Sequence, residues 1–89
     1  MILPTLNCAR AIRDGGIDAV AVLNAALEDA LVDAPADSHR AIKHAIGRAM
    51  GAVLDETVHL AVRAYPELKP DQETWTAVAK AKAATRAAL

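Results

Sequence analysis

Apolar residues recur along this chain at the three- and four-residue spacing of amphipathic helices, and the pattern breaks at glycine and proline. It predicts a first helix over residues 5–13, with Thr5 as its N-cap. The Asp-Gly-Gly sequence at residues 14–16 is predicted to end that helix, because glycine readily takes the left-handed conformation found after helix ends. A second helix is predicted over residues 17–33, and no segment alternates as a strand does.

A third and longest helix is predicted over residues 38–65, ending before Pro66. The connection at residues 34–37 is short, so this helix should return antiparallel to the second one as a hairpin. A fourth helix is predicted from residue 70 or 71 to the C-terminus. The pattern therefore predicts an all-α fold, a small bundle of about four helices around a long central helix at 38–65.

Composition predicts a thin core for this bundle. The 89 residues suffice for one helical domain, residues 1–89. Hydrophobic residues make up 54% of the chain, but Trp75 and Tyr65 are the only aromatic ones. Alanine supplies much of that fraction, and it favours helices while burying little area. Such a small chain favours a homodimer, and the scarcity of aromatic rings disfavours an aromatic-lined ligand pocket.

Two glycines inside the third helix point to close packing. Gly47 and Gly51 are four residues apart, and each costs about 1 kcal/mol relative to alanine in a helix. Small residues at this spacing allow another helix backbone to approach. We expect that approach either within the chain or across a dimer.

Charge and cysteine content favour a cytoplasmic protein. The formal net charge is −1, which gives no overall attraction to nucleic acid or membranes. Cys8 is the single cysteine, as expected in a reducing compartment, and the N-terminus lacks the features of a signal peptide. No apolar run is long enough to span a bilayer. The alanine-rich, lysine-poor composition is typical of a bacterial source with a GC-rich genome.

Acidic and basic residues are segregated along the predicted hairpin. The second helix ends in acids and the third begins with bases, and both arrangements oppose the helix dipole. An antiparallel hairpin would bring the two groups together, so we predict intramolecular pairing of Glu28, Asp29 and Asp33 with Arg40, Lys43 and His44. The alternative is a basic patch for nucleic acid or an acidic partner, formed by Arg40, Lys43, His44 and Arg48.

Some apolar residues exceed what a two-helix contact can cover. Val58 and Val62 lie beside the stripe that contains Arg40 and His44. Either the other helices cover them, or they form a second interface, most simply that of a two-fold homodimer. The candidate partner surface is therefore Arg40, His44, Arg48, Val58 and Val62.

The remaining chemical motifs are short. Glu56-x-x-His59 has the spacing used in ferritin-like di-metal sites, but a complete site needs further glutamates, and Asp55 with His59 more simply forms a surface ion pair. The segment from His44 to Ala49 resembles, over six residues, the exposed-histidine segment of histidine phosphotransfer domains, with the glycine and the basic residue in swapped order. No nucleophile, metal set or phosphate loop is indicated, so no catalytic activity, metal or cofactor is expected.

The sequence thus predicts a small cytoplasmic helical interaction module with a regulatory or accessory role. It is expected to be a homodimer with an unidentified protein partner, with no membrane association and with nucleic acid disfavoured. The alternative is a nucleic-acid-binding or phosphorelay-type domain that uses the Arg40, Lys43, His44 and Arg48 face.

Overall fold

A computed structural model describes residues 3–89, so the first two positions of the predicted domain lie outside the described range. The described chain is helical and contains no strand, which confirms the all-α class. Two short 3-10 turns at Ala36–Ser38 and Pro66–Leu68 join the helices. The α-helices are α1 (Leu6–Asp33), α2 (His39–Glu56), α3 (Val58–Ala64) and α4 (Gln72–Ala87).

Helix α1 is continuous through its two glycines, so the predicted helix end at residues 14–16 is wrong. No glycine in the described chain has a positive φ, which a glycine that ends a helix would need. Gly16 instead serves a close approach: a Cβ built there would lie 2.7 Å from the Thr57 Cβ and 3.1 Å from a Val58 methyl group. The glycine pair predicts a helix end, whereas in the structure Gly16 lies against Thr57 and Val58. The predicted N-cap is correct, since Thr5 Oγ1 accepts the Cys8 N–H at 3.0 Å.

The predicted helix over residues 38–65 is broken at Thr57, which separates α2 from α3. Thr57 has φ −128° and ψ −79°, outside the helical region. Its hydroxyl donates to the Val53 carbonyl one turn earlier, an interaction that often bends helices. The break lies where α1 approaches at Gly16. The last turn stops at Ala64, before Pro66, as predicted.

The central helix is α1, not the predicted helix at 38–65. Helix α1 contacts α2, α3 and α4. The connection at residues 34–38 brings α2 back alongside α1, and Gly16 meets Thr57 at the far end of that contact. The predicted central helix is wrong because the glycine pair led to α1 being predicted as two shorter helices.

The buried residues of the described chain fall in two segments, residues 3–17 and 58–68. The core cluster consists of Leu3, Ala9, Ala61 and Leu68, and Ile17 and Val58 are buried as well. Arg13 is the only buried charged residue in the described chain; its guanidinium donates to the Leu68 carbonyl at 3.1 Å and pairs with Asp14 at 2.9 Å.

The shape of the molecule is elongated. Its extents are 46 × 30 × 22 Å and its radius of gyration is 14.8 Å, whereas a compact domain of this length would have about 12 Å. Helices α1 and α2 therefore extend beyond the core as a two-helix projection. We call residues 18–57, none of which is buried, the arm.

Candidate functional site

The structure separates the predicted partner surface into two parts. Arg40, His44 and Arg48 follow one another at four-residue spacing on α2, are exposed, and line a shallow open groove with Asp37 and Ala41. We call Arg40, His44 and Arg48 the basic row.

The two valines of the predicted surface lie elsewhere, on α3. Val62 is half-buried and lines a second groove beside Trp75. Val58 is only 3% exposed and lies against Gly16, so its assignment to a partner surface is wrong. It was misassigned because the close approach at Gly16 covers it, and helical periodicity alone does not reveal that contact.

The predicted charge pairing across the hairpin is absent. Within residues 3–89, the salt bridges are Arg13–Asp14, Asp55–His59 and Asp18–Arg86, and none of them joins the acids at the end of α1 to the bases of α2. Exposed pairs contribute about 0–1 kcal/mol, so water competes with them effectively. The acids at the end of α1 and the basic row therefore both remain available to an outside partner. The predicted surface pair of Asp55 with His59 is confirmed at 2.9 Å.

The arm exposes an unusual amount of apolar surface. Val22 is 46% and Val32 is 82% exposed. Most of the larger apolar side chains of the two arm helices are only half-buried. These half-buried residues are Val20, Leu23, Leu27, Leu31, Ile42, Ile46, Met50, Val53 and Leu54.

The total accessible area of the chain is also large for its mass. The chain exposes 6054 Å², whereas a compact monomer of 9.3 kDa would expose about 5,000 Å². The difference, about 1,000 Å², is close to the roughly 800 Å² that each partner buries in a standard protein interface. This excess belongs to the whole elongated chain, including the exposed C-terminal part of α4, and is not confined to the arm.

The two glycines of α2 lie on the face of the basic row. Gly47 and Gly51 follow Arg40 and His44 by seven residues each, which places them on the same side of the helix. A Cβ at either glycine would meet no atom within 4 Å, so neither packs closely within the described chain. The close approach that the sequence predicted at these glycines therefore does not occur within the described chain.

Metal ligands do not cluster in the described residues: no three His, Cys, Asp or Glu side chains of residues 3–89 converge on one point. His44 is exposed on α2, and Glu56 is exposed at the end of that helix. In the same range, no helix combines the length and the apolar character needed to cross a bilayer.

Comparison with models of known protein families, with curated proteins and with solved structures finds no match to this chain. The class defined by the fold is all-α.

Proposed function

We propose that the protein is a helical protein–protein interaction module that acts as a cytoplasmic homodimer, in a regulatory or accessory role and without catalytic activity. The observation that carries this proposal is the arm, forty residues with no buried side chain and with apolar residues along both helices. A two-helix hairpin cannot enclose such residues, whereas two hairpins packed together can. The second copy would complete an intermolecular bundle of four helices.

Charge complementarity supports a second copy as the occupant. The exposed face of α1 carries Asp29 and Asp33, and the exposed face of α2 carries the basic row. None of these side chains forms a salt bridge within the described chain. In a two-fold dimer, α1 of each copy can lie against α2 of the other copy. The acids of each α1 would then pair with the basic row of the other copy. Gly47 and Gly51 would let the two backbones approach closely.

Sedimentation equilibrium of the wild type, Val22→Asp and Ala11→Asp tests the dimer. Val22 lies in the arm and is exposed in the single chain, so Val22→Asp should leave the helical fold intact. A carboxylate buried against a second arm would be desolvated, and we expect the dimer dissociation constant to rise about tenfold or more. Ala11, exposed on α1 but outside the arm, provides the matched control and should leave the constant unchanged.

Two results would contradict the dimer. A wild type that remains monomeric at micromolar concentration would remove it. Equal weakening by Val22→Asp and Ala11→Asp would show that added negative charge, and not the arm, governs association.

Nucleic-acid binding is the second candidate, and the unpaired state of the basic row favours it. It predicts retention on a polyanion column that weakens steeply with salt, and replacing Arg48 by Gln should reduce the salt slope by about one. Flow-through at low salt would exclude it. Phosphorelay at His44 remains a prediction, tested by comparing phosphate incorporation into the wild type and His44→Gln.

A further inference from the structure

A second groove lies where α3 meets the start of α4, and apart from Leu54 its lining residues lie outside the arm. Its volume is about 470 Å³, within the range of about 300–1,000 Å³ typical of small-molecule sites. The proposed dimer does not use it. The groove therefore requires its own explanation.

Most of the groove is apolar. Trp75, the only tryptophan of the chain, is half-buried at the start of α4 and borders the groove. Leu54 and Val62 are half-buried on the side of α2 and α3, and Pro70 is half-buried before α4. The apolar lining residues are Leu54, Val58, Val62, Pro70 and Trp75. Packing of α4 explains part of the burial of the indole, but it leaves the groove beside the ring open.

The polar part of the lining is basic. Lys69 and His59 are the only polar residues among those that line the groove, and no acid lines it. Lys69 is exposed and takes part in none of the salt bridges of the described chain. His59 Nδ1 lies 2.9 Å from an Asp55 carboxylate oxygen, so this imidazole already has an acidic partner. Asp71 accepts the Thr74 N–H at the start of α4.

An apolar groove with a basic rim matches an amphipathic anion. We propose that this groove binds a small carboxylate with a short apolar tail, the carboxylate facing Lys69 and the tail lying against Trp75, Val62 and Leu54. The sequence disfavoured an aromatic-lined pocket because aromatic rings are scarce, but here a single indole is joined by aliphatic side chains from two other helices. The site goes beyond the proposed dimer and does not depend on it.

Three ligands with the same octyl tail and head groups of different charge test the site. Octanoate, octanol and octylammonium, each below its micelle-forming concentration, are titrated into the full chain, and the fluorescence of Trp75 reports contact with the tail. We expect a saturable spectral shift, with octanoate binding about fivefold tighter than octanol, because a partly exposed ion pair contributes modestly. Octylammonium should bind most weakly.

Lys69→Gln isolates the role of the charge. This variant should bind octanoate no better than octanol, while octanol binding stays as in the wild type. Lys80→Gln, the same change at an exposed position of α4 outside the lining, should leave the preference intact. Val62→Asp places a negative charge in the groove and should abolish octanoate binding. If circular dichroism shows that this variant is unfolded, the comparison of Lys69→Gln with Lys80→Gln still tests whether Lys69 causes the preference for octanoate.

Several outcomes would overturn the proposal. They are the absence of a saturable response to octanoate, equal affinity for octanoate and octylammonium, and an equal loss in Lys69→Gln and Lys80→Gln. Binding of an acidic amphipathic peptide without any response to octanoate would assign the groove to a protein segment instead. Val22→Asp, which tests the dimer, should leave octanoate binding unchanged, so that failure of one proposal does not imply failure of the other.

Discussion

The two adjacent glycines of α1 should respond in opposite ways to the same substitution. Gly15→Ala adds a methyl group into open space, since nothing lies within 4 Å of its Cβ position. Alanine in a helix interior is about 0.5–1 kcal/mol more favourable than glycine, so this variant should be more stable by that amount. Gly16→Ala gains the same helix propensity, but its methyl group meets Thr57 and Val58.

The neighbours of Gly16 cannot easily move. Thr57 is held by its hydrogen bond to the Val53 carbonyl, and Val58 is 3% exposed. Overpacking at such a site costs about 1–3 kcal/mol. After the propensity gain of about 0.5–1 kcal/mol is subtracted, Gly16→Ala should be less stable than the wild type by up to about 2.5 kcal/mol. For a domain of this size, each kcal/mol corresponds to a change of about 4–8 °C in the melting temperature.

Urea unfolding followed by far-ultraviolet circular dichroism measures the difference. The wild type and both variants are compared at several protein concentrations, so that any contribution of association is separated from that of the fold. We expect the two variants to lie on opposite sides of the wild type. A destabilised Gly15→Ala would mean that a helix ends there, and a stabilised Gly16→Ala would mean that α1 does not approach Thr57.

Three further substitutions test the packing of Gly51, the hydrogen bond of Arg13 and the helix cap of Asp71. Gly51→Ala should stabilise the single chain by about 0.5–1 kcal/mol but weaken the dimer, as seen by sedimentation, and strengthening of both would refute close packing across the interface. Arg13→Met should lower the free energy of unfolding by about 1–3 kcal/mol, since the Leu68 carbonyl loses its charged donor, and an unchanged urea midpoint would show that water replaces it. The Thr74 N–H lowers the pKa of Asp71 below its usual 3.8, so this cap stabilises the fold above that value and the stabilisation is lost as the pH falls through the lowered pKa. Melting curves of Asp71→Asn should therefore show less acid destabilisation than those of the wild type. Identical acid profiles would exclude the cap as the source of the acid destabilisation.

Local signals in the sequence were sufficient for the class and for several helix ends. Thr5 caps α1 as expected from its side-chain oxygen, α4 begins close to the predicted residue 70 or 71, and α3 stops before Pro66. These features depend on residues within one or two turns. They were predictable because the interacting groups are neighbours along the chain.

Features that depend on distant residues were not predictable in this way. A glycine pair looks the same whether it ends a helix or accepts a neighbouring helix, and the Thr57 side chain that distinguishes the two lies 41 residues from Gly16. The break at Thr57 and the burial of Val58 arise from that same contact. Because Gly16 was interpreted as part of a helix end, the sequence predicted the wrong central helix and also an exposed Val58.

The candidate surfaces show the same limit. Four-residue spacing correctly placed Arg40, His44 and Arg48 on one exposed face. It did not predict that their charges remain unpaired within the chain, because pairing depends on side-chain reach across a helix contact. The groove at Trp75 was missed because its walls come from segments separated in sequence, and no local pattern joins Lys69 to Val62.

The one-sided distribution of buried residues has a consequence for turnover in the cell. Regions with few buried contacts open by local unfolding at a lower free energy than the rest of a protein. In a lone chain, amide hydrogens of residues 18–57 should therefore exchange first, and a protease would find its cleavage sites there. Because association would close this segment, the lifetime of each chain would rise with its own abundance, so that unpaired copies are degraded first.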